Sequence, residues 1–153
     1  MILRPASPAD IPALRAMLQA LSDHDGRSEP VGSEQSLAAA AFGPRPLVHA
    51  VMACDPAPVG MAIYYPDYST HRGEPGVYVQ DVYVAPAARG AGLGRALLAE
   101  TMRQQSWGAS YLTLGVSPDN IAANRLYQRL GFRHRGYDFL ILDGAGLKAL
   151  TAP

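Results

Sequence analysis

The chain has 153 residues, 48% of them hydrophobic, which suits one folded domain, and its thirteen Lys and Arg cancel thirteen Asp and Glu, leaving no global field for nucleic acid or an anionic membrane. Its one cysteine, Cys54, excludes an internal disulfide and, lying in an apolar run, reads as a buried inert thiol. The segment Met1 to Pro5 lacks the apolar stretch of a signal peptide and no run approaches the ~20 residues that span a bilayer, so a cytoplasmic protein is expected.

Met1 to Arg4 reads as a first strand. Ser7-Pro8-Ala9-Asp10 is a capping box with proline at the first helical position, and Ile11, Leu14, Leu18 and Leu21 then recur at helical spacing, so one apolar face packs on a sheet. Asp23 to Gly32 is a polar loop, and a second short helix runs from Ser33 to Gly43-Pro44. Leu47 to Cys54 and Val59 to Tyr65 predict antiparallel strands joined through Asp55-Pro56-Ala57-Pro58. Pro66 to Pro75 is a polar loop that delivers the chain to a strand at Val77 to Val84. A helix from Leu93 to Trp107, stopped by Gly108, precedes a strand at Tyr111 to Val116. After a further helix, Tyr137 to Leu142 predicts a last strand, with another short one at Leu147 to Leu150.

Between the strand ending at Val84 and the helix opening at Leu93 stands Arg89-Gly90-Ala91-Gly92-Leu93-Gly94. Glycines there let the backbone turn tightly and approach a ligand, and the free N–H groups of the helix start, with Arg89 and Arg95, suit a phosphate or pyrophosphate. Gly94 is followed by Arg95-Ala96 rather than by Lys and a hydroxyl residue, which excludes a phosphate-binding NTPase loop. The glycines fall at every second position deep in the chain, a poor match to the dinucleotide fingerprint. A second motif runs from Ser117 to Phe132. Ser117 with Pro118, or alternatively Asn120, caps a helix that Gly131 ends. Asn120 and Tyr127 stand seven residues apart, on one face.

Arg89-x-x-Gly92-x-Gly94 and Asn120-x-x-Ala123-x-x-Leu126-Tyr127 with Gly131-Phe132 resemble, in order and spacing, the two cofactor motifs of the GNAT superfamily of N-acetyltransferases. The resemblance implies a single domain over residues 1–153 with a mixed α/β fold: a twisted, mostly antiparallel sheet of about six to seven strands flanked by about four helices. It implies acetyl-CoA as the acyl donor, held between two splayed strands. Carried over to this chain, the cofactor-binding residues are Val82, Tyr83 and Val84 on the strand, Arg89, Gly90, Ala91, Gly92, Leu93, Gly94 and Arg95 in the loop, and Asn120, Ala123, Asn124 and Tyr127 on the second motif. Tyr127 matches the family's usual general acid. A homodimer acting on a small-molecule amine is implied, with no metal, nucleic acid or membrane partner.

Phe42 to Pro46, Met61 to Tyr65 and Tyr78 to Val84 further resemble the spermidine/spermine (diamine) acetyltransferase branch, which carries a Glu-Asp pair where this chain has Gln80-Asp81. Gln80 can hydrogen-bond an amine but cannot take its proton. Strand parity puts Tyr78, Gln80, Val82 and Val84 on one face and Asp81 and Tyr83 on the other unless a bulge shifts the register. Asp81 is thus either a base brought round by a bulge or a structural acid; His71 and a water chain are further candidates for the base. Tyr64, Asp67, His71, Gln80 and Asp81 are the expected acceptor-binding residues. The expected activity is transfer of acetyl to a primary amine of a diamine, polyamine or amino-acid-like molecule by direct attack in a ternary complex. Alternatives are a protein or peptide amine acetyltransferase, a non-catalytic acyl-CoA-binding module, or a nucleotide-binding protein of another fold.

Overall fold

The computed structural model describes residues 1–152. Five strands form one sheet in chain order: β1 (Ile2–Pro5), β2 (His49–Cys54), β3 (Pro58–Ser69), β4 (Glu74–Val84) and β5 (Leu112–Leu114). The first three pairings are antiparallel and β4 runs parallel to β5. The parallel pair needs a crossover, which α3 (Leu93–Gln104) supplies. The other helices are α1 (Ile11–His24), α2 (Glu34–Phe42), α4 (Ile121–Arg129) and α5 (Gly144–Thr151).

Period-two alternation divides the core between the two faces of the sheet. Val51, Ala53, Ala62 and Tyr64 turn toward α3 and meet Leu93, Leu97 and Leu98, while Met52, Cys54, Met61 and Ile63 turn the other way onto Ile11, Leu14 and Met17 of α1. The entry to α1 is clamped. Arg4 makes a bidentate pair with Asp10 at 2.7 and 2.8 Å, and the same carboxylate accepts from the Ser7 N–H at 2.7 Å and the Ser7 hydroxyl at 2.8 Å. Arg4 above all, then Ser7, holds the Asp10 carboxyl below the usual carboxylate range against the opposing effect of burial.

Two departures from the sequence reading change the shape of the sheet. Pro66 to Pro75 is no loop: β3 and β4 run on as a long hairpin to Ser69 and Glu74, with the turn at residues 70–73. The extension is held by the stacked rings of Tyr65 and Tyr78, 5.0 Å apart, and by a 2.7 Å bond from the Tyr111 hydroxyl to Asp67. The strands expected at Tyr137 to Leu142 and Leu147 to Leu150 do not form, so the sheet has five strands rather than six or seven. Tyr137 to Leu142 finds no strand to pair with and leaves Phe139, Leu140 and Ile141 71%, 95% and 87% exposed. Residues 144–151 hold Leu, Lys and Ala, good helix formers, and become α5, which makes five helices rather than four.

Candidate active site

β4 and β5 pair only at Val77, Tyr78 and Val79 with Leu112, Thr113 and Leu114 and then part, which opens a gap along the rest of β4. Beyond it the Ala85 N–H bonds the Val59 carbonyl at 2.8 Å, so antiparallel alternation turns the N–H and C=O groups of Val84 and Val82 outward, into the gap. The register slips between Ile63 and Tyr64: Ile63 faces Asp81 and Tyr64 faces Val79, leaving Gln80 as an extra residue. This bulge resolves the parity problem. Val77 and Val79 before it and Val82 and Val84 after it share the α3 face, so Asp81 and Tyr83 lie on the α1 side together with Tyr78.

A cavity of about 390 Å³ lies at the loop end of the gap, lined by Val82, Val84, Arg89, Gly90, Gly92 and the first residues of α3. Gly90 and Gly92 have φ of 85° and 77°, a left-handed region that a side chain would strain, and a Cβ at either would enter open space. The first bond inside α3 runs from Ala96 to Gly92, so the N–H groups of Leu93, Gly94 and Arg95 precede the helical ladder and are free to bind an anion. Arg89 donates from Nε to the Val84 carbonyl at 3.0 Å, which ties the loop to the strand. Gly94 lets α3 approach α4 closely, since a Cβ there would sit 3.1 Å from Leu126 Cδ2.

On the other side of Tyr127 lies a cavity of about 590 Å³, lined by Tyr78, Gln80, Asp81 and Val82 of β4, by residues 114–117 at and after the end of β5, and by His24, Asp25 and Arg27 at and beyond the end of α1. Leu21, His24, Val82 and Tyr127 border both cavities. α4 aims the phenol. Asn120 caps that helix by accepting from the Ala123 N–H at 3.1 Å, and Gly131, at φ 87°, ends it. Burial pushes the Tyr127 phenol above its ordinary value, so it stays protonated at neutral pH. Burial likewise pushes the Asp81 carboxyl up, opposed by the charge of Arg27 and aided by that of Asp25. A phenol and a carboxyl, each with its pKa raised by burial, therefore border one cavity.

The expected cofactor residues fall mostly together. Val82, Tyr83, Val84, Arg89, Gly90, Gly92, Leu93, Gly94, Arg95, Ala123 and Tyr127 border the loop-end cavity; Ala91 does not. Asn120 lies on the other cavity, and Asn124 spends its amide hydrogens on the Ser117 and Asn120 carbonyls, both at 2.8 Å, holding the turn before α4. The expected acceptor residues divide. Gln80 and Asp81 line the cavity, with Gln80 accepting from the Tyr65 hydroxyl at 3.3 Å. Tyr64 does not: the regular alternation of β3 turns it, like Ala62, into the core, 3% exposed against His49 and Trp107, and burial pushes its phenol to about 12. Asp67 is engaged by Tyr111 and His71 sits in the hairpin turn, both carried off by the strand extension. His24, Asp25 and Arg27 all fall in the stretch Asp23 to Gly32 that reads as a polar loop, whereas α1 runs on to His24. The Asp25-Gly26 pair, a helix stop after the Ile11 to Leu21 periodicity, was the local signal that could have marked where the chain leaves α1.

Comparison with known proteins shows the family and the fold. The model of the acetyltransferase (GNAT) family matches residues 14–132. A thialysine N-epsilon-acetyltransferase of Bos taurus is 31% identical over 98% of this chain and 96% of its own, and that of Mus musculus is 34% identical over 84% and 82%. A mycothiol acetyltransferase of Acidothermus cellulolyticus is 43% identical, over 50% of this chain and 24% of its own. Among solved structures, an integron cassette protein from the mobile metagenome of V. cholerae superposes with a TM-score of 0.78 at 19% identity, covering 99% of this chain and 98% of that one. A possible acetyltransferase from Clostridium difficile 630 gives 0.77 at 17% over 94% and 97%. At those identities the structures share the fold.

Proposed function

The chain belongs to the GNAT acetyltransferase family and is an N-acetyltransferase, and from that premise we propose that residues 1–153 act as one domain that moves acetyl from acetyl-CoA to a primary amine of a small molecule. The acceptor is a diamine, polyamine or amino-acid-like amine, attacked directly in a ternary complex. One observation carries the reading: Tyr127 stands on the wall shared by an amide-lined cavity and the cavity of Asp81.

The loop fits the donor. Glycines without a Cβ at residues 90 and 92, three free N–H groups at the start of α3 and the side chains of Arg89 and Arg95 would hold the diphosphate. The outward backbone groups of Val82 and Val84 would hold the pantetheine amides. When bound, acetyl-CoA supplies an activated thioester, whose acyl carbon bonds to the amine nitrogen while its bond to sulfur breaks. Asp81 accepts the first proton from the ammonium and releases it to solvent. Tyr127 gives its own proton at the sulfur and is restored by the second proton that leaves nitrogen. Gln80, which cannot carry charge, orients the amine by hydrogen bonding.

A homodimer belongs to the same reading: the exposed apolar side chains of Phe139, Leu140, Ile141 and Leu150 are a surface that a second copy would cover. So does the cytoplasm, a reducing setting in which the free thiol of Cys54 is at ease. A panel of amines offered with acetyl-CoA and scored by thiol release tests the activity. Release with a subset of small primary amines is expected; binding of acetyl-CoA with release from none would favour the non-catalytic acyl-CoA-binding module.

A further inference from the structure

Helix α1 brings one anchored apolar side chain to the place where three cavities meet. Its apolar repeat packs Leu18 and Leu21 against the core cluster that holds Ile11, Leu14, Met17 and Ile63, so Leu21 is fixed from behind. The last turn of the helix is tied down as well: the Asp25 N–H reaches the Leu21 carbonyl at 2.9 Å, and Gly26, at φ 65°, lets the Arg27 N–H reach that of Ser22 at 3.1 Å. A side recess of about 230 Å³, with Leu18 and Val31 as half-buried apolar lining, shares Gln80 and Asp81 with the larger cavity. Among the described residues, only Leu21 borders the loop-end cavity, the larger cavity and this recess.

The four residues common to the two main cavities are of two kinds. Val82 and Tyr127 belong to the strand and helix that would hold the donor, whereas Leu21 and His24, one turn apart on α1, bound the same passage from a separate element. His24 is exposed and can swing aside; Leu21 cannot without vacating the core. We propose that Leu21 sets the acyl length of the donor: it confines the slot beside Tyr127 to acetyl and shuts off an apolar recess that would take the extra methylenes of a longer straight-chain acyl-CoA. The proposal rests on the acetyltransferase reading and adds what limits its donor. Transfer of a longer acyl group follows the course given for acetyl. The acyl carbon leaves sulfur for the amine nitrogen, the first ammonium proton goes to Asp81, and Tyr127 gives its proton to sulfur and takes the second.

Acetyl-CoA and butyryl-CoA differ by two methylenes and so isolate the role of Leu21. The unaltered protein is expected to bind acetyl-CoA at least about 10-fold more tightly than butyryl-CoA by calorimetry without an acceptor, and to use it at least about 100-fold better in kcat/KM with the best amine of the panel. Leu21→Ala should cut both ratios at least about 10-fold, while Leu21→Phe should raise the preference for acetyl-CoA over propionyl-CoA by a similar factor. Equal handling of acetyl-CoA and butyryl-CoA by the unaltered protein, or ratios that stay within about twofold in both variants, would overturn the assignment. A Leu21→Ala protein that gives no heat with CoA has not folded, and Leu21→Phe then decides alone. Discrimination in binding that Leu21→Ala relaxes sustains the proposal even if no acetyl reaches any amine, an outcome that would sink the acetyltransferase reading alone; acetyl transfer without discrimination sinks the proposal alone.

Discussion

The two cavities that meet at Tyr127 are built in opposite ways. The loop-end cavity is made largely of main chain: free amides at the start of α3, outward peptide groups of Val82 and Val84, and glycines that keep Cβ atoms away. The larger cavity, the proposed acceptor side, is made of side chains that four separate segments contribute: the end of α1 with its turn, the bulged stretch of β4, the loop after β5 and α4. A backbone cradle depends on local conformation, which tolerates exchange of nearly every side chain that does not need φ above zero. A pocket of side chains depends on where distant segments meet, and a single charge decides what enters. The difference fits the proposed reading, a common donor on one side and a particular acceptor on the other.

The largest expected effect lies at the shared wall. Tyr127→Phe should lower turnover about 100-fold while leaving CoA affinity within about twofold, measured by thiol release and calorimetry; unchanged turnover would return the phenol to a packing role against Phe132, whose ring lies 5.3 Å away. Next comes the cradle. Gly92→Val should weaken CoA at least about 10-fold, because a branched residue at left-handed φ strains the turn and crowds the amides. The same variant should leave discrimination among amines intact, which separates donor side from acceptor side.

Asp81→Asn should act on the acceptor side alone. Because burial raises its pKa, Asp81 ionises above the ordinary carboxylate range, so kcat/KM rises with pH through that raised value and the exchange should remove this acidic limb. A group raised in the fold stabilises it only while protonated, so Asp81→Asn should leave thermal stability at neutral pH no lower than before. The smallest effect on either cavity belongs to Asp10→Asn, beneath α1. Loss of charged bonds to Arg4 and Ser7 should cost about 2 kcal/mol of stability, with kcat and CoA affinity within about twofold. The depressed Asp10 contributes stability that is complete above the ordinary carboxylate pKa, about 3.9, and is lost as pH falls below it, so acid unfolding should begin at higher pH in this variant.

The same contrast governs what could be read without coordinates. The glycine loop, the α4 cap and the Asn120 to Tyr127 spacing are local, so residue types and intervals carried the shape of the loop-end cavity and the position of Tyr127 almost whole. The bulge at Gln80 carries no sequence mark of its own, and it puts Tyr78 on the α1 side with Asp81, whereas Tyr64 follows the plain alternation of β3 into the core. His71 and Asp67 were misplaced because tyrosine stacking and the Tyr111 bond extend a hairpin through a stretch whose polar residues read as a loop. Tyr137 to Leu142 has a strand's composition and no neighbour to complete it. Arg27 lay in an unremarked polar run, since nothing local tells which cavity a helix end will face.

Calorimetric titration with CoA and with pantetheine, which lacks the diphosphate, tests the cradle most directly. The amide loop at residues 89–95 predicts saturable heat with CoA and at least about 100-fold weaker binding of pantetheine. No heat with CoA, or equal affinity for the two, would contradict it.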